Sequence, residues 1–469
     1  MTDDLPVLSP AVPRGRPCAF DFEGDSIETF EGESVAVALW AAGIRTLARS
    51  TKFHRPRGAF CFDGHCASCL MRVDGRPNVR ACMTPARAGL RCERQNAFPS
   101  AEVDLLAAAD WMFPEQMDHH TLMTGNRAMN RLLVGLVRQM GGSGTLPDDD
   151  VLSPLPLPAT PSSATSAADR VDLIQIVDVC IVGAGPAGLT AAAALGQLSP
   201  RTRVLVLDEQ PVPGGSWLAE RDGAARATAA LNSATAAGVR VLSGAAVIGF
   251  FPEDLVESET RADAIRGTLA AITTAGLLRV SARRILYATG AYDQNVSFYD
   301  NDRPGVIAAR ACGRLAFRHG VRPGRRVAIV GPAAYGDRLA EGLVSAGMRA
   351  DRVCRIDPAR CRPIAAQGAT PLRGLIMADA DGRERRQSAD VIAVAALPAP
   401  ASELPRQHGA EVLLDESRGG FVTVTDAHFQ TKADKIFCCG DVTGYLGPTL
   451  AEEAGAAAAA AITHTLDQR

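Results

Sequence analysis

The stretch DVCIVGAGPAGLTAAAAL, opening at Asp178, leaves the chain few ways to fold. Residues 179–182 form an apolar run of the kind that becomes a strand buried on both faces. Gly183, Gly185 and Gly188 then give G-x-G-x-x-G, and an alanine-rich helical run follows. Gly183 allows the tight turn, Gly185 lets the backbone approach a pyrophosphate, and Gly188 lets helix and strand pack closely. The loop Gly183-Ala184-Gly185-Pro186-Ala187-Gly188 is therefore expected to lay a helix N-terminus against phosphates. VLVLDEQ (204–210) supplies the next strand. Asp208 at its end is the expected ribose acceptor, with Glu209 the second choice.

A second feature is independent of the first. CFDGHCASCLMRVDGRPNVRAC (61–82) holds four of the twelve cysteines. Cys61, Cys66 and Cys69 give C-x4-C-x2-C, and Cys82 follows. This is the plant-type ferredoxin spacing for a [2Fe–2S] cluster. Thiolates on one loop reach two irons only if the backbone turns sharply, which Gly64, Ala67 and Ser68 permit. Zinc, which favours two separated pairs, is a weaker reading. A reactive Cys66–Cys69 pair is weaker still, since the strand-to-helix setting of a thioredoxin is missing. His65 lies within the loop and could replace a thiolate, as in Rieske centres, although four cysteines suffice. Cys92 reads as a bystander. Upstream, AFDF and IETF alternate like strands joined at Glu23-Gly24-Asp25, and ESVAVALWAAG reads as a helix ending at Gly43. Hairpin, helix and cysteine loop make a β-grasp order.

These motifs divide the chain into a ferredoxin-like domain (15–100), a helical segment (101–140) and a linker rich in Gly, Pro and Ser (141–174). FAD-domain halves follow at 175–300 and 413–469, flanking an inserted NAD(P)-type Rossmann-like domain (301–412). The fold class is α/β: a two-dinucleotide-binding-domain flavoprotein preceded by an α+β β-grasp domain. Met129, Leu132, Leu133, Leu136, Val137 and Met140 share one helix face, expected to pack on the protein itself. The basic run RSTKFHRPRG (49–58) reads either as a solvated loop or as a docking surface for a partner or a cofactor phosphate. Cys438 and Cys439 are expected as buried small side chains, and His119, His120 and His319 as surface or packing residues.

Composition excludes some functions. Lys+Arg at 49 against Asp+Glu at 52, with 5% aromatics, gives no nucleic-acid surface. No apolar run of membrane-spanning length is present, and the acidic start lacks a signal-peptide core, so the cytoplasm is expected.

Two later segments resemble the two-dinucleotide-binding-domain flavoproteins. RRILYATGAYD ends a strand at Thr289-Gly290, and ADKIFCCGDVTG ends one at Gly440-Asp441. In that family the A-T-G strand lines the FAD domain, and the aspartate binds the ribityl chain. The inserted domain opens with RRVAIVGPAAYGDRLAEGLVSAG, where the loop reads Gly331-Pro-Ala333-Ala-Tyr-Gly336. A methyl group at Ala333 pushes against an approaching pyrophosphate, so NAD(P) is the less expected cofactor, even with Asp357 placed to hold a ribose.

The chain as a whole resembles the α subunits of heteromeric sarcosine oxidase, hydrogen cyanide synthase, opine oxidase and hydroxyproline dehydrogenase. The likeness is carried by RSTKFHRPRG, RQNAFPS, VGAGPAGLTAAAAL, DEQPVPGGS, ATGAYDQ, NDRPGVI and CCGDVTG. It implies FAD at the first loop, with Gly215 of DEQPVPGGS among the cofactor contacts, and a cluster at the cysteines. It also implies electrons drawn from the oxidation of an amine or amino acid by a partner flavoprotein subunit. The chain stops soon after Asp441, without the folate-binding extension of full sarcosine oxidase α subunits. Sarcosine itself is therefore the less expected substrate. The alternatives are a self-contained NAD(P)H-dependent reductase serving an oxygenase, and a non-catalytic assembly or redox-sensing subunit.

Overall fold

The computed structural model describes residues 14–50, 54–97, 100, 126–132, 173–252, 263–368 and 370–467. The linker at 141–170, His119, His120 and most of the helical segment lie outside them. The chain resolves into two compact units. One contains the N-terminal cysteine-bearing segment with Asn295–Gly331 and Leu343–Val394. The other contains the described residues from 173 to Gln294, with Pro332–Gly342 and Ala395 onward. The chain thus re-enters the second unit at Ala395, ahead of the sequence boundary at 412.

In the first unit, Pro17–Phe22 and Asp25–Phe30 pair antiparallel across a two-residue turn, Phe22 facing Asp25. Glu23 and Gly24 both take positive φ, as a hairpin twisting with its strands requires. The alternation buries Phe20 and Phe22 and exposes Asp21. The helix Val35–Ala41 is capped by Ser34, whose hydroxyl accepts from Val37 N, and it buries Val35 through Trp40. Gly43 turns the chain away at φ +86°. A five-stranded sheet results, in the order 25–30, 17–22, 91–93, 70–73, 76–80. The pair 17–22 and 91–93 is parallel, the mark of a β-grasp.

The same unit holds a four-stranded parallel sheet, ordered 306–308, 391–394, 327–330, 353–355. A three-stranded antiparallel sheet spans 361–388. Segment 295–331 fastens onto the β-grasp. Ala308 N donates to Phe60 O (3.0 Å), and the Trp40 indole donates to Pro323 O (2.9 Å). Arg55 pairs with both Asp300 and Asp302, and Arg57 with Asp302, at 2.7–2.9 Å. The basic run therefore serves contacts within the chain: Arg55 and Arg57 bind a pair of aspartates. His319 packs against Glu33 as a buried group. In the short described stretch 126–132, Asn130 is buried while Met129 and Leu132 are exposed. The expected packing face is therefore not seen there.

The second unit is built on a seven-stranded sheet. Its parallel core runs 240–243, 204–208, 173–182, 276–287. The long strand Gly276–Tyr287 pairs with 268–273 along its first half and with 436–438 along its second. The register sets Val182, Tyr287 and Cys438 side by side, so three strands end at one edge. Helix Pro448–Asp467 crosses helix Pro186–Leu198 so closely that a Cβ at Gly455 would meet Ala187 O at 2.2 Å. Among the described residues no helix is long and apolar enough to cross a membrane.

Candidate functional site

Two sites emerge, one in each unit. The first is the cysteine loop. All twelve cysteines are free thiols. Cys61, Cys69 and Cys82 are buried and Cys66 is half-buried. Phe62, Gly64 and Ala67 take positive φ, so the loop turns sharply three times between the first three thiols. Phe62 is the residue sequence reasoning missed, because a phenylalanine gives no sign of adopting that conformation. The turns aim amides at sulfur: Asp63 N donates to Cys61 Sγ (3.4 Å), Ser68 N to Cys66 Sγ (3.5 Å) and Cys82 N to Cys69 Sγ (3.5 Å). Cys69 Sγ and Cys82 Sγ lie 3.3 Å apart.

Thiols this close share protons. Hydrogen bonds from the Cys66 and Cys82 thiols pull Cys61 strongly toward thiolate, and the Cys82 thiol does the same for Cys69. Cys66 and Cys82 are held protonated in return. Among the described residues no His, Cys, Asp or Glu group is arranged around a single ion. Four convergent thiols with amide donors fit a small anionic cluster. Cys92 lies apart, fully buried, its thiol pushed up to about 12 by burial. His65 stands 3.7 Å from Asp63.

The second site sits at the strand edge of the other unit. Gly183 has φ +107°, and a Cβ there would meet Ala288 O at 2.3 Å. At Gly188 a Cβ would meet Gly183 O at 1.9 Å. At Gly185 the only atom near is Gly215 Cα at 3.8 Å, and at Gly290 nothing lies within 4 Å. Gly183 and Gly188 are thus needed by the protein's own packing, while Gly185 and Gly290 border open space. Helix Pro186–Leu198 begins at Gly185 with Pro186 in its first turn and no side-chain cap. Its first amides face that space, which is what a pyrophosphate requires. Gly214 N donates to Ala184 O (2.8 Å), holding Gly215 against the loop.

Asp208 behaves differently from its expected role. Its carboxylate accepts from Ala184 N (2.5 Å) and Gln210 N (2.8 Å), so it ties the glycine loop to the second strand. Glu209 stands exposed beside it. Thr289 Oγ1 donates to Ala401 O (2.8 Å), and Ala401 N donates to Gly290 O (3.0 Å). Asp441 is buried, and its Oδ1 accepts from Leu446 N (2.9 Å) and Gly447 N (3.1 Å) just ahead of helix Pro448–Asp467. Cys438 and Cys439 are fully buried beneath this edge.

The loop at Gly331–Gly336 contrasts with the first. Ala333 is buried and its amide donates to Ala395 O (2.9 Å). Tyr335 is also buried, its hydroxyl donating to Ala219 O (2.5 Å). Asp357 accepts from Ala359 N and pairs with Arg360 in a local turn.

A β-grasp thiol quartet joined to a two-dinucleotide-binding-domain architecture defines an iron–sulfur flavoprotein. Residues 15–97 match the 2Fe-2S iron-sulfur cluster binding domain family, and residues 181–241 match the NAD(P)-binding Rossmann-like domain family. Sarcosine oxidase subunit alpha of Rhizobium meliloti is 31% identical over 352 residues, 72% of this chain and 34% of that protein. Hydrogen cyanide synthase subunit HcnA of Pseudomonas aeruginosa is 42% identical over 80 residues, 17% of this chain and 76% of that protein. The solved structure of L-proline dehydrogenase from P. horikoshii shares the fold, with a TM-score of 0.68 at 20% identity, over 97% of this chain and 74% of that one. The chain belongs to the family of α-type subunits that includes those of sarcosine oxidase, opine oxidase and hydrogen cyanide synthase. It spans 34%, 40% and 42% of the length of three sarcosine oxidase α subunits it matches. Its cofactors are a [2Fe–2S] cluster and FAD.

Proposed function

We propose that this chain is an electron-transferring subunit of an amine or amino-acid dehydrogenase or oxidase, working with a second, amine-oxidising flavoprotein subunit. The carrying observation is that one polypeptide holds both a thiolate quartet and an uncapped dinucleotide cradle. When bound, FAD supplies two-electron chemistry, and the cluster supplies one-electron transfer. The chain's own part is to hold each group. Cys61, Cys66, Cys69 and Cys82 ligate the irons. Residues 183–188 and Gly215 take the pyrophosphate, Glu209 and Asp208 the ribose side, and Thr289, Gly290, Gly440 and Asp441 the flavin side. The reading sets the protein in the cytoplasm, where twelve free thiols stay reduced.

The second Rossmann-type sheet keeps the NAD(P)H-reductase reading open. Against it stand Ala333, whose amide is already bonded, and Tyr335, packed into the loop. Purification of the full chain from its native host tests the reading. An amine-oxidase-like flavoprotein should co-elute, and a panel of N-methyl, cyclic and α-amino acids should include one that bleaches the flavin anaerobically. Rapid bleaching by NADPH in the lone chain would overturn the proposal.

A further inference from the structure

Arg314 is almost completely buried, at 2% exposure, yet it belongs to the segment following the central strand Val306–Ala308 and not to the β-grasp. It opens a π-helical turn, Arg314–Arg318, that continues the short helix Ala309–Gly313. Such turns commonly mark positions where a helix is distorted to aim a side chain. The guanidinium is aimed at the cysteine loop: Nη1 donates to Cys61 O (3.0 Å) and Nη2 to Asp63 Oδ2 (2.5 Å). Asp63 in turn donates its amide to Cys61 Sγ (3.4 Å). His65 Nε2 is also near the Asp63 carboxylate, at 3.7 Å.

We propose that Arg314 is a positioning residue for the iron–sulfur cluster. It locks the Cys61–Asp63 turn so that the Asp63 amide points at the ligand sulfur, and it neutralises the Asp63 carboxylate beside a site that gains negative charge on reduction. A buried cation at hydrogen-bond distance acts far more strongly than an exposed one. Hydrogen bonds to sulfur and nearby net charge both set the potential of such clusters. Arg314 therefore raises the cluster's midpoint potential. The assignment does not depend on which amine the complex oxidises.

The test uses the full chain, purified anaerobically with both cofactors, and reads the cluster's midpoint potential and its EPR g values. Arg314→Gln leaves Asp63 uncompensated, so the potential falls and the g values shift. Asp63→Asn leaves the guanidinium uncompensated, so the potential rises. The double variant lies between the two singles. The flavin potential stays at the wild-type value in all three. Should Arg314→Gln fail to retain its cluster, the rise in Asp63→Asn alone decides. Wild-type cluster potentials in the variants that hold the cluster, or an equal displacement of the flavin potential, would overturn the proposal.

Discussion

Cys69 and Cys82 hold their sulfurs 3.3 Å apart although thirteen positions separate them in sequence. The strands 70–73 and 76–80 make this possible. They form a hairpin, Leu70 opposite Arg80, that brings the two cysteines flanking it together. The fourth ligand is thus delivered by a β-hairpin, which explains how a short gap suffices.

Replacing Cys82 or Cys69 with serine should remove the cluster's visible absorption and its iron while leaving FAD bound. Cys92→Ser should change neither, because that thiol is buried away from the quartet and held protonated by its surroundings. Iron and flavin analysis of the purified variants reads both outcomes.

Gly185 and Gly188 should respond differently to alanine. A Cβ at Gly188 meets the Gly183 carbonyl at 1.9 Å, so Gly188→Ala should lower stability by about 1–3 kcal/mol, seen as a reduced melting temperature. A Cβ at Gly185 meets only Gly215 Cα at 3.8 Å. Gly185→Ala should therefore fold normally and lose FAD affinity by about tenfold or more, ~1.4 kcal/mol, in a flavin-binding titration.

The sequence pattern told these glycines apart from their surroundings but not from one another. Strand, glycine loop and helix are local, so residues 179–198 could be read directly. The cysteine spacing was equally legible, since one loop carries three of the ligands. Arg314, Asp300 and Asp302 were not legible as parts of the iron–sulfur lobe. They lie well over two hundred positions from the residues they bind, and nothing in RACGRLAFRHG or NDRPG advertises a distant partner. Asp208 shows the limit from the other side. Its position at a strand end was read correctly, but a carboxylate there can bind a ribose or a loop amide, and the structure gives it two amides.

Neither NADH nor NADPH should reduce the flavin at a rate above that of buffer. Ala333→Gly alone should not change this, because Tyr335 remains packed with its hydroxyl on Ala219 O. Anaerobic stopped-flow absorbance measures both. Fast reduction of either protein would restore the reductase reading.

His408 gives the second unit an acid limit. It lies 2.6 Å from the buried Tyr287 hydroxyl, which donates to its neutral Nε2, and it stacks on Phe250. Burial lowers its pKa from 6.5 to about 4. In the unfolded chain the ring takes up a proton first, so its contribution is complete above about 6.5 and is lost as pH falls towards about 4. Allowing for partial exposure, the loss is about 1–2 kcal/mol. Thermal melts from pH 7 to pH 4 should show a steeper decline in the wild type than in His408→Phe. Parallel curves would remove His408 from the explanation.

The central claim is that one polypeptide carries FAD and a two-iron cluster that accept electrons from an amine. The most direct measurement is EPR of the anaerobic native complex, frozen after addition of its amine substrate with no other reductant present. The account predicts bleached flavin together with the signal of a reduced [2Fe–2S] cluster. A cluster that stays EPR-silent while the flavin is fully reduced would contradict it, as would an isolated chain holding neither iron nor flavin.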